Sequence, residues 1–268
     1  MTIYPVVIAL VLIYSGFLFA TNVISDVFAQ NFDSSNGTIT SAKLDSKSIY
    51  DQKEANIVDK NIKNFVILIP NEGHESTNQD KDQYPLANQP YIPQNLVIGK
   101  GTAVTWFNGD VDHDHIVKFE SLNNESLSAT DTFEYLGHVT VDFNNTGKYS
   151  YFEDGDLNDD KSFMMKGTIT VVDPTESSAV SSQIGNNTQS NFKTLGILMV
   201  PSKDLSAIRS DLSNNGIQPL SDYTFTDLRG GQSGTGPTQS IILWGSESDS
   251  IEQIISPIVE ITKELPYS

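Results

Sequence analysis

The chain of 268 residues has no cysteine. Disulfides, zinc–thiolate sites, iron–sulfur clusters and thiol nucleophiles are thereby excluded. The absence says little about compartment. Basic residues are scarce too: 16 Lys and Arg stand against 34 Asp and Glu, a formal net charge of −18. Holding a nucleic-acid backbone takes clustered Lys and Arg, so no nucleic-acid partner is expected. Contact with anionic lipid is disfavoured for the same reason. Acidity spread along a chain serves solubility; attraction for cations needs local clustering. No nucleophile, base and orienting group come together as a recognisable set. No catalytic residue, no organic-cofactor site and no enzymatic activity are therefore expected.

What is present begins with Tyr4–Ala20, almost wholly apolar and uncharged. Val27-Phe28-Ala29 supplies a small-residue cleavage pattern before Gln30. Residues 1–29 read as a signal peptide, although no Lys or Arg precedes the apolar stretch. Left uncleaved, residues 4–20 would be just long enough to anchor the chain in a membrane. Either way an extracytoplasmic protein is expected, secreted or at a cell surface. Asn-x-Ser/Thr sequons starting at Asn36, Asn124, Asn144 and Asn186 fit a glycosylated surface.

Residues 30–63 are rich in Ser, Asn, Asp and Lys and lack sustained apolar periodicity. They read as a flexible polar spacer with a short helical piece. From Asn64 the pattern changes. Phe65–Ile69 is an apolar run stopped by Pro70, the mark of a buried strand. Further short strands are expected at residues 95–98, 103–107, 115–119, 139–143, 149–153 and 168–172. Gly, Pro and Asn turns join them, and the spacing predicts a mainly β sandwich over residues 64–173. Residues 174–192 form a Ser/Thr/Asn-rich linker. Residues 193–268 then read as a small separate α+β domain in the order βαββα, ferredoxin-like, with helices on a sheet. There, Leu195–Val200 is the first strand and Ser202 a helix N-cap. Leu205, Ile208 and Leu212 share one helical face, and Gly216 ends that helix. Strands at Tyr223–Leu228 and Ser240–Trp244 flank a Gly-rich hairpin loop. Ile251, Ile254, Ile255, Ile258 and Ile261 line a last helix, which Pro257 should kink or split.

Two segments carry a specific resemblance. The first is Gly101-Thr-Ala-Val-Thr-Trp106-Phe-Asn108-Gly-Asp110, followed by His115-Ile-Val-Lys-Phe119. The second is Gly147-Lys-Tyr149-Ser-Tyr151-Phe-Glu153, followed by Met165-Lys-Gly167-Thr-Ile-Thr-Val171. Tyr91 to Asp173 resembles the cupredoxin family of plastocyanin- and azurin-like copper proteins, in the family's order, over roughly a third of the chain. The resemblance implies a Greek-key β-sandwich, copper binding and electron transfer with a membrane or surface redox partner. It places the family's first histidine ligand at His115 and its methionine ligand at Met165.

The departures are as informative. The position matching Glu153 is cysteine in the family, and no histidine follows it within the next residues. A blue site needs a thiolate on a trigonal His₂Cys set, so an ordinary blue copper centre is impossible here. Strand alternation proposes a replacement. His115, Val117 and Phe119 share one face, which the apolar pair marks as inward. If the strand extends backwards His113 joins them, while Asp112 and Asp114 face out as outer partners. Glu153 shares parity with Tyr149 and Tyr151 and so points inward, where a carboxylate is costly unless paired or bound to a metal. The expected metal residues are therefore His113, His115, Glu153 and Met165. Imidazole with carboxylate suits Cu(II) or Zn(II), and the Met165 thioether tilts the expectation to copper, in a pale, non-blue or degenerate site. A metal-free interaction module is the alternative. His138 falls out of phase with Val139, Val141 and Phe143 and faces outward. His74 sits unconstrained in a polar loop. The acidic loop 154–160 has oxygen ligands at alternate positions, which suits calcium, but lacks the bidentate Glu and flanking helices of an EF-hand.

Overall fold

A computed structural model describes residues 44–51, 55–71, 87–111, 113–121, 129–153, 165–173, 191–226 and 237–265. Residues 42–268 form one compact unit. The proposed signal or anchor, the 154–160 acidic loop, His74, the Gly-rich hairpin loop and the sequons at Asn36, Asn124 and Asn186 lie outside the described residues. Among the described residues no helix is long and apolar enough to cross a membrane.

The strands are β1 (Asn56–Ile57), β2 (Asn64–Ile69), β3 (Asn95–Gly99), β4 (Thr102–Asn108), β5 (Val117–Ser121), β6 (His138–Phe143), β7 (Gly147–Glu153), β8 (Lys166–Val172), β9 (Thr194–Pro201), β10 (Ile217–Thr226) and β11 (Thr238–Ser246). The helices are α1 (Ser46–Asp51), α2 (Leu205–Asn214) and α3 (Ile251–Thr262). One sheet has the order β1-β3-β8-β7-β5 and the other β10-β11-β9-β2-β4-β6. The first is parallel from β1 through β3 to β8, then antiparallel across β7 to β5.

All six residues of β2 are buried. Phe65, Ile67 and Ile69 face the core between the two sheets, where Trp106, Tyr151, Val117 and Ile169 also lie. Val66 and Leu68 face a second core, formed with Ile208, Leu212, Ile254, Ile255 and Ile258 of the helices. The described residues thus form a three-layer stack of sheet, sheet and helices, and the middle sheet is covered on both faces. A strand buried on both faces loses the polar half of its alternation. That is why this stretch reads as an unbroken apolar run.

The second, separate α+β domain is not seen. The βαββα order is present, but β9 pairs in parallel with β2 through Asn64–Thr194, Phe65–Leu195 and Val66–Gly196. The C-terminal strands therefore extend the sandwich's own sheet, and α2 and α3 cover the far face of that sheet. The polar spacer differs from expectation as well. Ile49, Tyr50, Val58 and Ile62 are buried, and Ser46 bonds Ser221 and the Leu243 N–H. In α2, Ile208 and Leu212 are buried as expected and Gly216 follows with φ +74°. Ser202 is not its N-cap. It opens a 3₁₀ turn, and its hydroxyl bonds that of Ser240. Pro257 does not split α3, which runs unbroken from Ile251 to Thr262.

Candidate metal centre

β4 ends at Asn108, and the turn after it builds one wall of the site. Asn108 is fully buried, and its Oδ1 accepts the Asp110 N–H at 2.7 Å. Its Nδ2 donates to the His113 carbonyl at 2.9 Å, and its own carbonyl accepts the Leu136 N–H at 2.8 Å. Gly109 is required at the turn: a Cβ there would stand 2.9 Å from Leu68 Cδ1 and 3.0 Å from the Ile69 carbonyl. The turn drives the Asp110 side chain inward, where it is fully buried.

His115 precedes β5. A two-way backbone pair with Phe133, at 3.1 and 3.0 Å, holds it in place. His115, Val117 and Phe119 are all buried. Glu153, at the end of β7, pairs with Val117 across the sheet, and its side chain is 13% exposed. The carboxylate Oε2 lies 2.6 Å from His115 Nδ1. His115 and Glu153 thus project into one place at one end of the sandwich.

Met165 is buried beside the inter-sheet core, just before β8, and its carbonyl accepts the Glu153 N–H at 3.3 Å. His113 departs from expectation. The strand does not extend back to it, its side chain is half exposed, and its Nδ1 turns to Asp110 Oδ2 at 2.9 Å. Asp114 is exposed. His138 is partly exposed and reaches Glu252 of α3 at 3.3 Å.

Asp110 is the residue that sequence reasoning missed. Its Oδ2 is 3.7 Å from His115 Nε2, beyond hydrogen-bond length but close enough to act as a charge. The available signal was the Asn-Gly-Asp turn directly after a buried strand, since Asn side chains fold back on the backbone two residues on.

The electrostatics follow. Burial is the largest single influence on His115 and works against its charged form. Asp110 and Glu153 together outweigh it and raise the imidazole to about 9. Near neutral pH His115 is an imidazolium between two carboxylates. Burial also carries the Tyr151 phenol well above its ordinary value.

Whether these residues suit copper is decided by their donor chemistry. A blue centre does not fit, because the thiolate position holds Glu153. A non-thiolate divalent ion fits better: His115 Nε2 is buried without a hydrogen-bond partner and faces a buried carboxylate oxygen. Imidazole with carboxylate suits Cu(II). Among the described residues, no three His, Cys, Asp or Glu groups are arranged to hold a metal ion. The local set therefore provides two donors, with Glu153 as the outer carboxylate that orients the ring.

No family model and no curated protein matches this chain. Solved structures similar to part of it include a purple cupredoxin from Nitrosopumilus maritimus, 27% identical, covering 40% of this chain and 98% of that one, with a TM-score of 0.27. A reduced auracyanin from Roseiflexus castenholzii is 17% identical over 41% of this chain and 97% of that one, with a TM-score of 0.29. A copper-containing nitrite reductase from Thermus scotoductus is 20% identical over 41% of this chain and 28% of that one, with a TM-score of 0.28.

Proposed function

We propose that the chain is an extracytoplasmic, cupredoxin-like module that takes up divalent copper at the buried end of its sandwich. The orphaned His115 Nε2 beside Asp110 carries this reading, because a buried polar nitrogen without a partner is costly. His115, giving up its Nε2 proton to solvent as copper enters, and Asp110 would hold the ion. Glu153 fixes the imidazole through Nδ1, and Asn108 fixes the turn that carries Asp110. Copper held without a thiolate would supply a pale one-electron centre or a stored ion. Copper handling, or exchange with a membrane or surface redox partner, is the matching role.

A second reading is favoured by the 2.6 Å contact of Glu153 with His115. Here the imidazolium is the cation that satisfies both carboxylates, and the sandwich is a metal-free interaction module.

Titration of the mature protein with Cu(II), followed by paramagnetic resonance, separates the two. The copper reading expects one nitrogen-coordinated ion per chain, retained on desalting and lost in His115→Ala. Copper washed away from the wild type sinks it in favour of the metal-free module.

A further inference from the structure

On the face opposite the inter-sheet core, α2 and α3 leave an open groove of about 970 Å³ between them. Its floor is apolar, made of Ile208, Pro257, Ile261 and Leu265. Its rims carry Asp204, Asp211, Glu252, Glu260 and Glu264. Among the described residues no Lys, Arg or His lines it. Of the rim carboxylates, Glu260 pairs with Lys263 and Glu252 is reached by His138.

Two further observations point to a missing donor. Asp204 Oδ2 is buried and has no hydrogen-bond partner. Pro257 has no N–H to offer the Gln253 carbonyl one turn earlier, and both residues line the groove. The lining therefore matches an occupant with positive charge for the rims and apolar surface for the floor. The flanking helices, of 10 and 12 residues, are roughly 15 and 18 Å long. That length matches about three turns of a third helix.

We propose that this groove docks a cationic amphipathic helix of a partner protein, with its apolar face on the floor and Lys or Arg along both rims. Such a complex is steered by charge and held by the apolar contact.

The probe is a labelled 14-residue helical peptide of Leu and Lys in heptad spacing, titrated into the full mature chain and read by fluorescence anisotropy. Saturable one-to-one binding is expected. The Asp211→Lys/Glu264→Lys double variant should weaken it roughly tenfold or more, while the equally charged Asp131→Lys/Asp142→Lys pair, neither of which lines the groove, changes it less than about twofold. Ala207→Trp places bulk on an exposed groove residue without altering charge, and should also abolish binding while the melting temperature holds. Three results would each overturn the proposal: no saturation, equal loss in both charge pairs, or unchanged binding in Ala207→Trp. Displacement of the peptide by spermidine at the peptide's own concentration would likewise reduce the groove to a counter-ion site.

Discussion

At the scale of single residues, the pairing of His115 with Asp110 and Glu153 makes a pH-dependent contribution to stability. The folded-state value of about 9 lies above the ordinary 6.5, so the native protein binds this proton more tightly than the unfolded chain. The contribution is full below about pH 6.5 and is lost as pH rises through about 9; the shift corresponds to something on the order of 3 kcal/mol. Denaturant midpoints measured from pH 6 to 10 should fall across that window. Glu153→Gln should bring the His115 titration down towards the ordinary range, read from the imidazole proton resonances, and should flatten the slope. A titration left near 9 in that variant would remove Glu153 as a cause. Alternation alone put His115 and Glu153 on inward faces, because period-two patterning survives wherever one face is polar. The same argument failed at His113, because the chain leaves strand geometry before β5 begins. Asp110 escaped notice because a turn, not a strand, aims it, and turns carry no periodicity.

At the scale of elements, the seam between β9 and its neighbours leaves no room for a side chain at Gly196. A Cβ on Gly196 would stand 2.2 Å from Trp244 Cζ2 and 2.7 Å from Val66 Cβ. Glycine is required here for close approach of packed side chains. Gly196→Ala should destabilise the protein by about 3 kcal/mol through forced displacement of the Trp244 ring. Chemical denaturation followed by tryptophan emission measures this, and a loss below about 0.5 kcal/mol would contradict the packing described. The strands themselves were largely readable, since short apolar runs bounded by Gly, Pro and Asn carry their own punctuation. Strand β10 was not fully readable. It starts at Ile217, six residues before the expected Tyr223, and Pro219 and Ser221 disguise its first half. A proline is tolerated there because β10 is an edge strand with an irregularity between Pro219 and Ser221.

At the scale of the whole molecule, a shared sheet predicts shared cooperativity. A chain ending at residue 192 would strip β2 of its β9 partner and bare Val66, Leu68 and Phe107 on the helix-facing side. It should show no cooperative melting transition. The full chain should show a single calorimetric transition whose van't Hoff and calorimetric enthalpies agree. Two resolved transitions would restore an independent C-terminal domain. Composition could not reveal this union. The Ser/Thr/Asn-rich stretch before β9 looks like a domain boundary, and pairing between residues 64 and 194 leaves no local mark. Only the five-residue apolar run Phe65–Ile69 in β2 hinted that both of its faces would be covered.

Placing β2 between β4 and β9 also orders events in time. Strand β2 is made early, yet one of its two flanks is supplied only by Thr194–Pro201. Such distant pairings close late, because a long loop must be ordered before any contact repays it. A ribosome delivering this chain therefore releases an unfinished sheet until most of the message has been read, and the native state is reached in one late step.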